Sequence, residues 1–333
     1  MKAGELEQLQ QHLFSWYHQA VRDFPWKDTQ DPYHIFVSEM MLQQTQAERV
    51  APRYTAFLET FPTLESLANA PPAEVIRLWA GLGYNRRAVH MQQSAAIVCE
   101  QYGGAFPQDV AELQRLPGIG AYTAGAIACF AFGQDVVFLD TNIRRVLRRC
   151  FRGEPPDPPT DREILALSRE YLPTGQGRLW NLSVMELGAQ QCTAKNPTCQ
   201  QCPIRAYCVA FADRRATPLP SPPPAAIRPR RIAEQREPFV GSNRYYRGRL
   251  VAALCDAAPG EAISLSQLGS HLKPDYHADD LPWLQNLVAG LVQDRLIEFD
   301  AARGVVSLFW GTGEREKGRG DRAQERWSLE NEK

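Results

Sequence analysis

Apolar residues recur at helical spacing through most of the first two thirds of the chain. Leu6, Leu9, Leu13, Phe14, Tyr17 and Val21 draw one stripe along a helix expected over 5–21. Phe24-Pro25-Trp26 interrupts that rhythm, and 35–57 resumes it with helix-forming residues. Further helices are expected over 73–79, 87–102, 122–132, 142–150, 161–171 and 179–190, with Pro52, Pro62, Pro71-Pro72, Pro107 and Pro117 marking boundaries or starts. Only Val136 to Leu139 reads as extended. Residues 1–212 are therefore expected to be all-α.

The pattern then changes. Pro218 to Pro229 holds six prolines, so 213–238, rich in Pro and Arg, reads as a stiff linker. Beyond it a helix is expected over 244–257, an extended piece over 262–265, helices over 266–272 and 281–296, and a hairpin from 297–300 to 305–310 turning at Arg303-Gly304. Helix, strand, two helices and hairpin is the order of a small α/β winged-helix-like domain, here 239–310. The mixed-charge tail, 311–333, is too poor in apolar residues to pack and is expected to be disordered.

Composition narrows the class. A length of 333 residues suits about two domains. The hydrophobic share of 44% and charged share of 23% are ordinary for folded proteins and exclude wholesale disorder. The longest near-apolar stretch, Gly125 to Gly133, is too short to span a bilayer, and MKAGELEQLQQ lacks the apolar centre of a signal peptide. A soluble cytoplasmic protein is the expectation. A net charge of −1 gives no reason to invoke a polyanion, yet arginines cluster locally. Arg144, Arg145, Arg148 and Arg149 form one basic helix face, either solvated or turned to a partner, and nine arginines fall between Arg214 and Arg249.

Cysteine usage is more telling. Cys99, Cys129, Cys150 and Cys255 are scattered, mostly in apolar surroundings, as small buried residues would be. Cys192, Cys199, Cys202 and Cys208 follow the spacing C-x6-C-x2-C-x5-C. Thiolates that close repel unless a metal centre holds them, and spacing leaves both a tetrahedral zinc and an iron–sulfur cluster open. Upstream, Leu116-Pro117-Gly118-Ile119-Gly120 is a tight turn leading into an apolar helix, whose first N–H groups could meet a phosphate. Asp140 follows about twenty residues later, placed to cap the basic helix.

LPGIGAYTAGAI followed by LDTNIRRVL resembles the helix-hairpin-helix, Gly/Pro-rich loop and aspartate motif of the DNA base-excision glycosylase superfamily. The cysteine spacing matches that superfamily's [4Fe–4S] loop at 192–208. Val37 to Gln46 (VSEMMLQQTQ) and Gly81-Leu82-Gly83-Tyr84 are similar to the MutY-type, A/G-mismatch branch. The resemblance runs from about Leu13 to Cys208. It implies a helix-hairpin-helix glycosylase fold of two helical lobes plus the iron–sulfur loop. It also implies a double-stranded DNA partner carrying adenine mispaired with 8-oxoguanine or guanine, and an adenine flipped out of the stack for hydrolysis of its glycosidic bond.

Residue by residue, Glu39 matches the acid that protonates adenine at N7, with a pKa raised by burial against Met40, Met41, Leu42 and Trp26. Asp140 matches the anion beside the sugar, and Tyr122 and Asn142 match residues that support it. Gln44 and Tyr84 match residues that wedge into the gap near the partner base; Gln43 belongs to the segment that favours adenine. Trp26 and Glu186 match positions lining the adenine pocket. Leu116, Gly118 and Gly120 form the hairpin, which in the family holds phosphate with help from a monovalent cation. The iron–sulfur loop would bring Arg205 to the same DNA backbone. Relatives that also cut the strand carry a lysine nucleophile where this chain has Tyr122, so a monofunctional enzyme is implied.

Lys27, Asn85 and Thr141 depart from the branch's usual arginine, tyrosine and glycine without removing a catalytic group. Nothing from Ala225 onward follows the β-rich, Nudix-like pattern that such enzymes often carry for reading 8-oxoguanine. Arg244 to Arg249 (RYYRGR), basic and aromatic, is instead expected to help hold DNA. The alternatives are a thymine or uracil mismatch glycosylase of the same superfamily and a catalytically silent iron–sulfur DNA-binding protein. A monomer acting on nucleoid DNA is expected.

Overall fold

A computed structural model describes residues 3–216 and 239–311. The helices are α1 (Ala3–Ala20), α2 (Pro32–Leu42), α3 (Ala47–Thr60), α4 (Leu64–Ala68), α5 (Pro72–Trp79), α6 (Arg86–Tyr102), α7 (Val110–Leu113), α8 (Ala121–Phe132), α9 (Thr141–Arg152), α10 (Asp161–Tyr171), α11 (Gly177–Gln190) and α12 (Val209–Ala216). From residue 239 onward come α13 (Asn243–Asp256), β1 (Ile263–Ser264), α14 (Leu265–Leu272), α15 (Leu281–Gln293), β2 (Ile297–Asp300) and β3 (Val305–Leu308). The chain forms two compact units, Met1–Glu39 with Phe106–Arg231, and Met40–Ala105 with Ile232–Lys333. None of the described helices is long and apolar enough to cross a membrane.

The first unit is built around α8, buried on every face from Thr123 to Phe130, as a helix apolar all round must be. Leu9 and Leu13 of α1, Ile143, Val146 and Leu147 of α9, and Trp180, Val184 and Leu187 of α11 complete its core. Side chains of this size contribute about 1.5–3 kcal/mol each when fully buried. Helix starts are fixed locally. Asp140 caps α9 through Ile143 N at 2.6 Å, and Thr160 with Glu163 forms a capping box on α10. The α8 start follows Gly120, which has no side chain to cap it.

In the second unit α3, α5 and α6 bury Val50, Tyr54, Phe57, Val75, Ile76, Trp79, Met91 and Val98. Its C-terminal module packs Leu250, Leu254, Leu268, Leu284, Leu287 and Leu291 against an antiparallel sheet of order β1-β3-β2. Val306 pairs with both Ile263 and Phe299, and the β2–β3 turn is closed by Asp300, whose Oδ1 accepts from the N–H groups of Ala302 and Arg303. Arg77 of α5 fastens this module. Its guanidinium donates to the carbonyls of Cys255, Ala257 (2.7 Å) and Ala258 (3.2 Å), at and just past the C-terminus of α13.

The all-α core and small α/β module agree with the sequence pattern, but four local expectations need correction. The expected 35–57 helix is broken at Gln43–Gln46, where Gln44 takes a left-handed backbone (φ 56°). Pro52 lies inside α3 instead of bounding it. Val136–Leu139 is a loop; the Val136 carbonyl accepts from Asn181 Nδ2 at 3.1 Å, so no neighbouring strand is needed. Residues 213–216 continue α12, while 217–238 and 312–333, holding most of the expected linker and tail, lie outside the described residues.

Candidate active site

In the first unit, α2, α8 and α9 bring three acidic or phenolic side chains together. Glu39, on the apolar α2, is only 5% exposed. The Tyr122 hydroxyl donates to its carboxyl, and the Asp140 carboxylate lies close enough to oppose its ionisation. Burial pushes Glu39 up to about 7, against the opposing pull of the Tyr122 hydrogen bond. Its Oε2 is buried and has no hydrogen-bond partner among the described residues. A buried acid that holds its proton near neutrality, with one oxygen unspent, is suited to giving that proton to something that enters the site.

Asp140 is also raised by burial, but donors hold it down: the N–H groups of Ile143 and Asn142, the Asn142 side chain and the charge of Arg145. It therefore has the better supply of partners for its ionised form. Unequal environments for neighbouring carboxyls separate an acid from an anion. Tyr122, raised well above the usual phenol range by burial and by the two carboxyls, stays a neutral donor.

Arg145 ties this site to the cysteine loop. Its guanidinium donates to Asn142 Oδ1 (2.7 Å), to the Gly188 carbonyl (2.7 Å) and to the Cys192 carbonyl (2.6 Å). The close approach of α9 and α11 at this point requires a glycine. A Cβ on Gly188 would sit 2.6 Å from Asn142 Cβ and 3.1 Å from its Cα. Gly188→Ala is expected to lower stability by about 1–3 kcal/mol by pushing Asn142 away from Asp140. Thermal unfolding checks this; an unchanged midpoint would refute it.

Cys192, Cys199, Cys202 and Cys208 line one cavity together with Arg149 and Arg214, and none of the four is in a disulfide. Among the described residues no three thiol, imidazole or carboxylate groups converge as a single ion requires. Four thiols lining one cavity supply the donor set that the expected [4Fe–4S] cluster needs. When bound, the cluster cross-links the loop through its four thiolates.

The surroundings of these thiols were only partly legible. Arg149 reaches Cys192 Sγ at 3.6 Å and the Thr193 carbonyl at 2.7 Å, and Arg214 reaches Cys199 Sγ at 3.9 Å. Glu154 holds both guanidiniums, at 2.9 and 2.5 Å. Cys150 of α9, 2% exposed, donates its S–H to Cys208. The repeat of arginines on α9 was visible in the sequence; its use as scaffolding for the cysteine loop was not.

The other expected residues fall into two places. In the first unit Trp26 stacks on Phe24 (5.0 Å, 7°), Arg22 lies over Phe24 at 4.9 Å, and Arg22 pairs with Glu186 at 2.7 Å. Trp26 and Glu186 are thus joined through Phe24 and Arg22, and Gln190 also donates to Glu186. Leu116 is buried, while Gly118 (φ 76°) and Gly120 are exposed at the mouth of the hairpin that leads to Tyr122. A side chain at Gly118 would strain that turn.

Gln43, Gln44 and Tyr84 belong to the second unit. Gln43 turns inward, donating to Met40 Sδ at 3.4 Å, whereas Gln44 and Tyr84 (φ 49°) are exposed. Arg87, at the start of the helix expected over 87–102, organises both of their loops. Its guanidinium is buried and donates to the carbonyls of Met40 (3.0 Å), Met41 (3.0 Å), Gln43 (2.6 Å), Leu82 (3.4 Å) and Gly83 (2.9 Å), and to Thr45 Oγ1 (3.1 Å). Burial lowers Arg87 to about 10, which still leaves it charged.

Comparison with known proteins gives the following. Residues 37–174 match the family described as HhH-GPD superfamily base excision DNA repair protein, and 192–208 match the iron-sulfur binding domain of endonuclease III. The chain is 36% identical over 282 residues to the adenine DNA glycosylase of Mycolicibacterium smegmatis, covering 84% of this chain and 91% of that protein. It is 42% identical over 209 residues to the human adenine DNA glycosylase, covering 60% of this chain and 38% of that one. Among solved structures, a thermostable thymine-DNA glycosylase superposes with a TM-score of 0.59 at 29% identity, over 63% of this chain and 98% of the other. An endonuclease III–DNA covalent intermediate superposes at 0.56 and 21% identity, over 65% and 99%, which bears on the fold alone.

Proposed function

Because the chain belongs to the HhH-GPD base-excision DNA repair superfamily, in its adenine DNA glycosylase family, we propose that it hydrolyses the N-glycosidic bond of adenine mispaired with 8-oxoguanine or guanine in duplex DNA. One observation carries this reading: Glu39 is a buried acid with a pKa near 7 and an unspent Oε2, beside Asp140.

The adenine must leave the stack before either group can act on it. Glu39 donates its proton to N7 as the C1′–N9 bond breaks and the bonding pair departs with the base. Asp140, ionised, stabilises the positive charge left on the sugar. Water then adds to C1′, and its released proton returns the acid to its starting form. Tyr122 orients the Glu39 carboxyl, and Asn142, held by Arg145, orients that of Asp140.

Trp26 and Glu186 line the adenine pocket, and Gln43, Gln44 and Tyr84 serve the gap left in the duplex. The hairpin at Leu116, Gly118 and Gly120, with a monovalent cation on its carbonyls, holds the phosphodiester. The enzyme works as a monomer on the DNA of the nucleoid. A tyrosine hydroxyl cannot form a Schiff base, so the product is an abasic site on an uncut strand.

The test is to incubate the cluster-loaded protein with duplexes holding A opposite 8-oxoguanine, A opposite G, and T opposite G. Adenine should be released from the first two, with strand scission only after hot alkali and no borohydride-trapped adduct. Release of thymine from the third would favour the thymine mismatch reading. Binding without release from any would favour the silent DNA-binding protein.

A further inference from the structure

Residues 21–31 join α1 to α2 without regular structure, and they carry Trp26. A side chain on such a loop is only as well placed as the loop's anchors. Here both flanks of Trp26 are tied to α11. On the leading side Arg22 pairs with Glu186 at 2.7 Å and lies over Phe24, on which Trp26 stacks. On the trailing side the Arg178 guanidinium donates to the carbonyls of Lys27 (3.2 Å) and Thr29 (2.8 Å). It also donates to the carbonyl of Phe130, in the last turn of α8. Arg178 and Glu186 are roughly 12 Å apart along their helix, so Trp26 is slung between two supports.

The turn of α11 that bears Arg178 is itself anchored. Asp135 accepts from the N–H groups of Gly175 (2.6 Å) and Gly177 (2.9 Å), and Asn181 donates to the Val136 carbonyl (3.1 Å). Gly177 packs so closely that a Cβ there would lie 2.8 Å from Asp135 Oδ1. Near its other end the same helix meets Asn142 through Gly188. One rigid element therefore relates the Trp26 loop to the residues around Asp140.

The chemistry of Arg178 suits this task. Burial pulls its pKa below the ordinary guanidinium value, and a charge taken out of water is costly unless its donors are well used. Its three hydrogen bonds among the described residues all go to main-chain carbonyls, one on α8 and two on the loop. A planar fork can serve two segments at once, which the single nitrogen of a lysine does less well.

We propose that Arg178 is a positioning residue for base excision, holding Trp26 where the extruded adenine packs. It touches no reacting atom and acts through Trp26. The proposal rests on the reading above that Trp26 lines the adenine pocket. A displacement of about 1 Å in a positioning element can cost about 100-fold in rate. A slack pocket wall should therefore slow the reaction more than it weakens binding of the duplex.

The test uses the full-length, cluster-loaded protein and a double-mutant cycle of Arg178→Met and Trp26→Ala. Adenine release is followed in single turnovers with enzyme in excess, so that rate constant and amplitude are read separately. Arg178→Met keeps the alkyl stem but not the donors, and should lower the rate constant about tenfold at full amplitude. Its affinity for a duplex holding cleavage-resistant 2′-fluoro-2′-deoxyadenosine should stay within about twofold of the wild type. In the Trp26→Ala background the same substitution should change the rate by less than about twofold. Arg178→Lys should recover to within about threefold of the wild type.

Additive effects in the cycle would overturn the proposal. So would a lost amplitude at an unchanged rate constant, which marks a support of folding only. Amide exchange needs no turnover: over 21–31 it should quicken in Arg178→Met while α8 stays protected. A wild type that releases adenine alongside an additive cycle sinks this inference alone. A wild type that releases none sinks the mismatch reading. Faster exchange over 21–31 would then still uphold the hold on Trp26, and unchanged exchange would sink it too.

Discussion

Glu39→Gln should slow adenine release by about 10²–10⁴-fold while leaving the protein folded and more stable at alkaline pH. Glutamine fills the same space and can still accept the Tyr122 hydroxyl, so what is lost is the proton. In the proposed reaction the required form is protonated Glu39, with a pKa near 7. Single-turnover rates should therefore fall as pH rises through that value, and the variant's residual rate should lack this limb. The substitution moves stability the other way. An ordinary glutamate titrates near 4.5 and the buried one near 7, so ionisation costs folding free energy above pH 7, and that cost fades as pH falls towards 4.5. Removing the charge should stabilise the variant by about 3 kcal/mol at pH 8 and by less than about 1 kcal/mol at pH 5. Urea titrations at the two pH values check this. A variant no more stable at pH 8, with a wild-type rate profile, would remove Glu39 from the role of acid.

The contrast between local and distant causes explains what could be read from the sequence. Alternation at helical spacing, a capping aspartate and a C-x6-C-x2-C-x5-C loop are written in neighbouring residues, and the helices, the α9 start and the cysteine cavity follow from them. The break at Gln43–Gln46 is not local. Its residues form helices readily, but Arg87, more than forty positions on, takes the carbonyls of Met40, Met41 and Gln43 and so ends α2. Val136–Leu139 is β-branched and aromatic, yet a strand needs a partner edge, and Asn181 meets the Val136 carbonyl instead. Arg145 and Arg149 were visible as a basic face and turn out to bind the carbonyls of Cys192 and Thr193, since only the packing of α9 on α11 decides what such a face meets. Glu39 and Asp140 are 101 positions apart, and no spacing rule puts them together; motif resemblance did, and the fold gives that pairing a physical form.

Asp140→Asn should lower the rate of base release by about 10²–10³-fold with little change in folding. The carboxylate has two separable duties. One is to cap α9, where Oδ1 accepts from Ile143 N at 2.6 Å. Asparagine caps about as well as aspartate, whereas alanine costs about 1 kcal/mol. The other, in the proposed reaction, is to stay negative beside a sugar that becomes positive, which asparagine cannot do. Burial raises Asp140 above the usual aspartate value, so the wild-type rate should fall on the acidic side as this carboxylate takes up a proton. The asparagine variant should lose that limb while keeping the alkaline limb set by Glu39. Comparing Asn and Ala at this position separates charge from cap: both should lose the rate, but only Asp140→Ala should also lower the unfolding midpoint. If Asp140→Asn released adenine within about fivefold of the wild type, the group that stabilises the sugar would have to be sought elsewhere. Asp140 would then be a helix cap alone, because none of its hydrogen bonds needs the negative charge that the chemistry does.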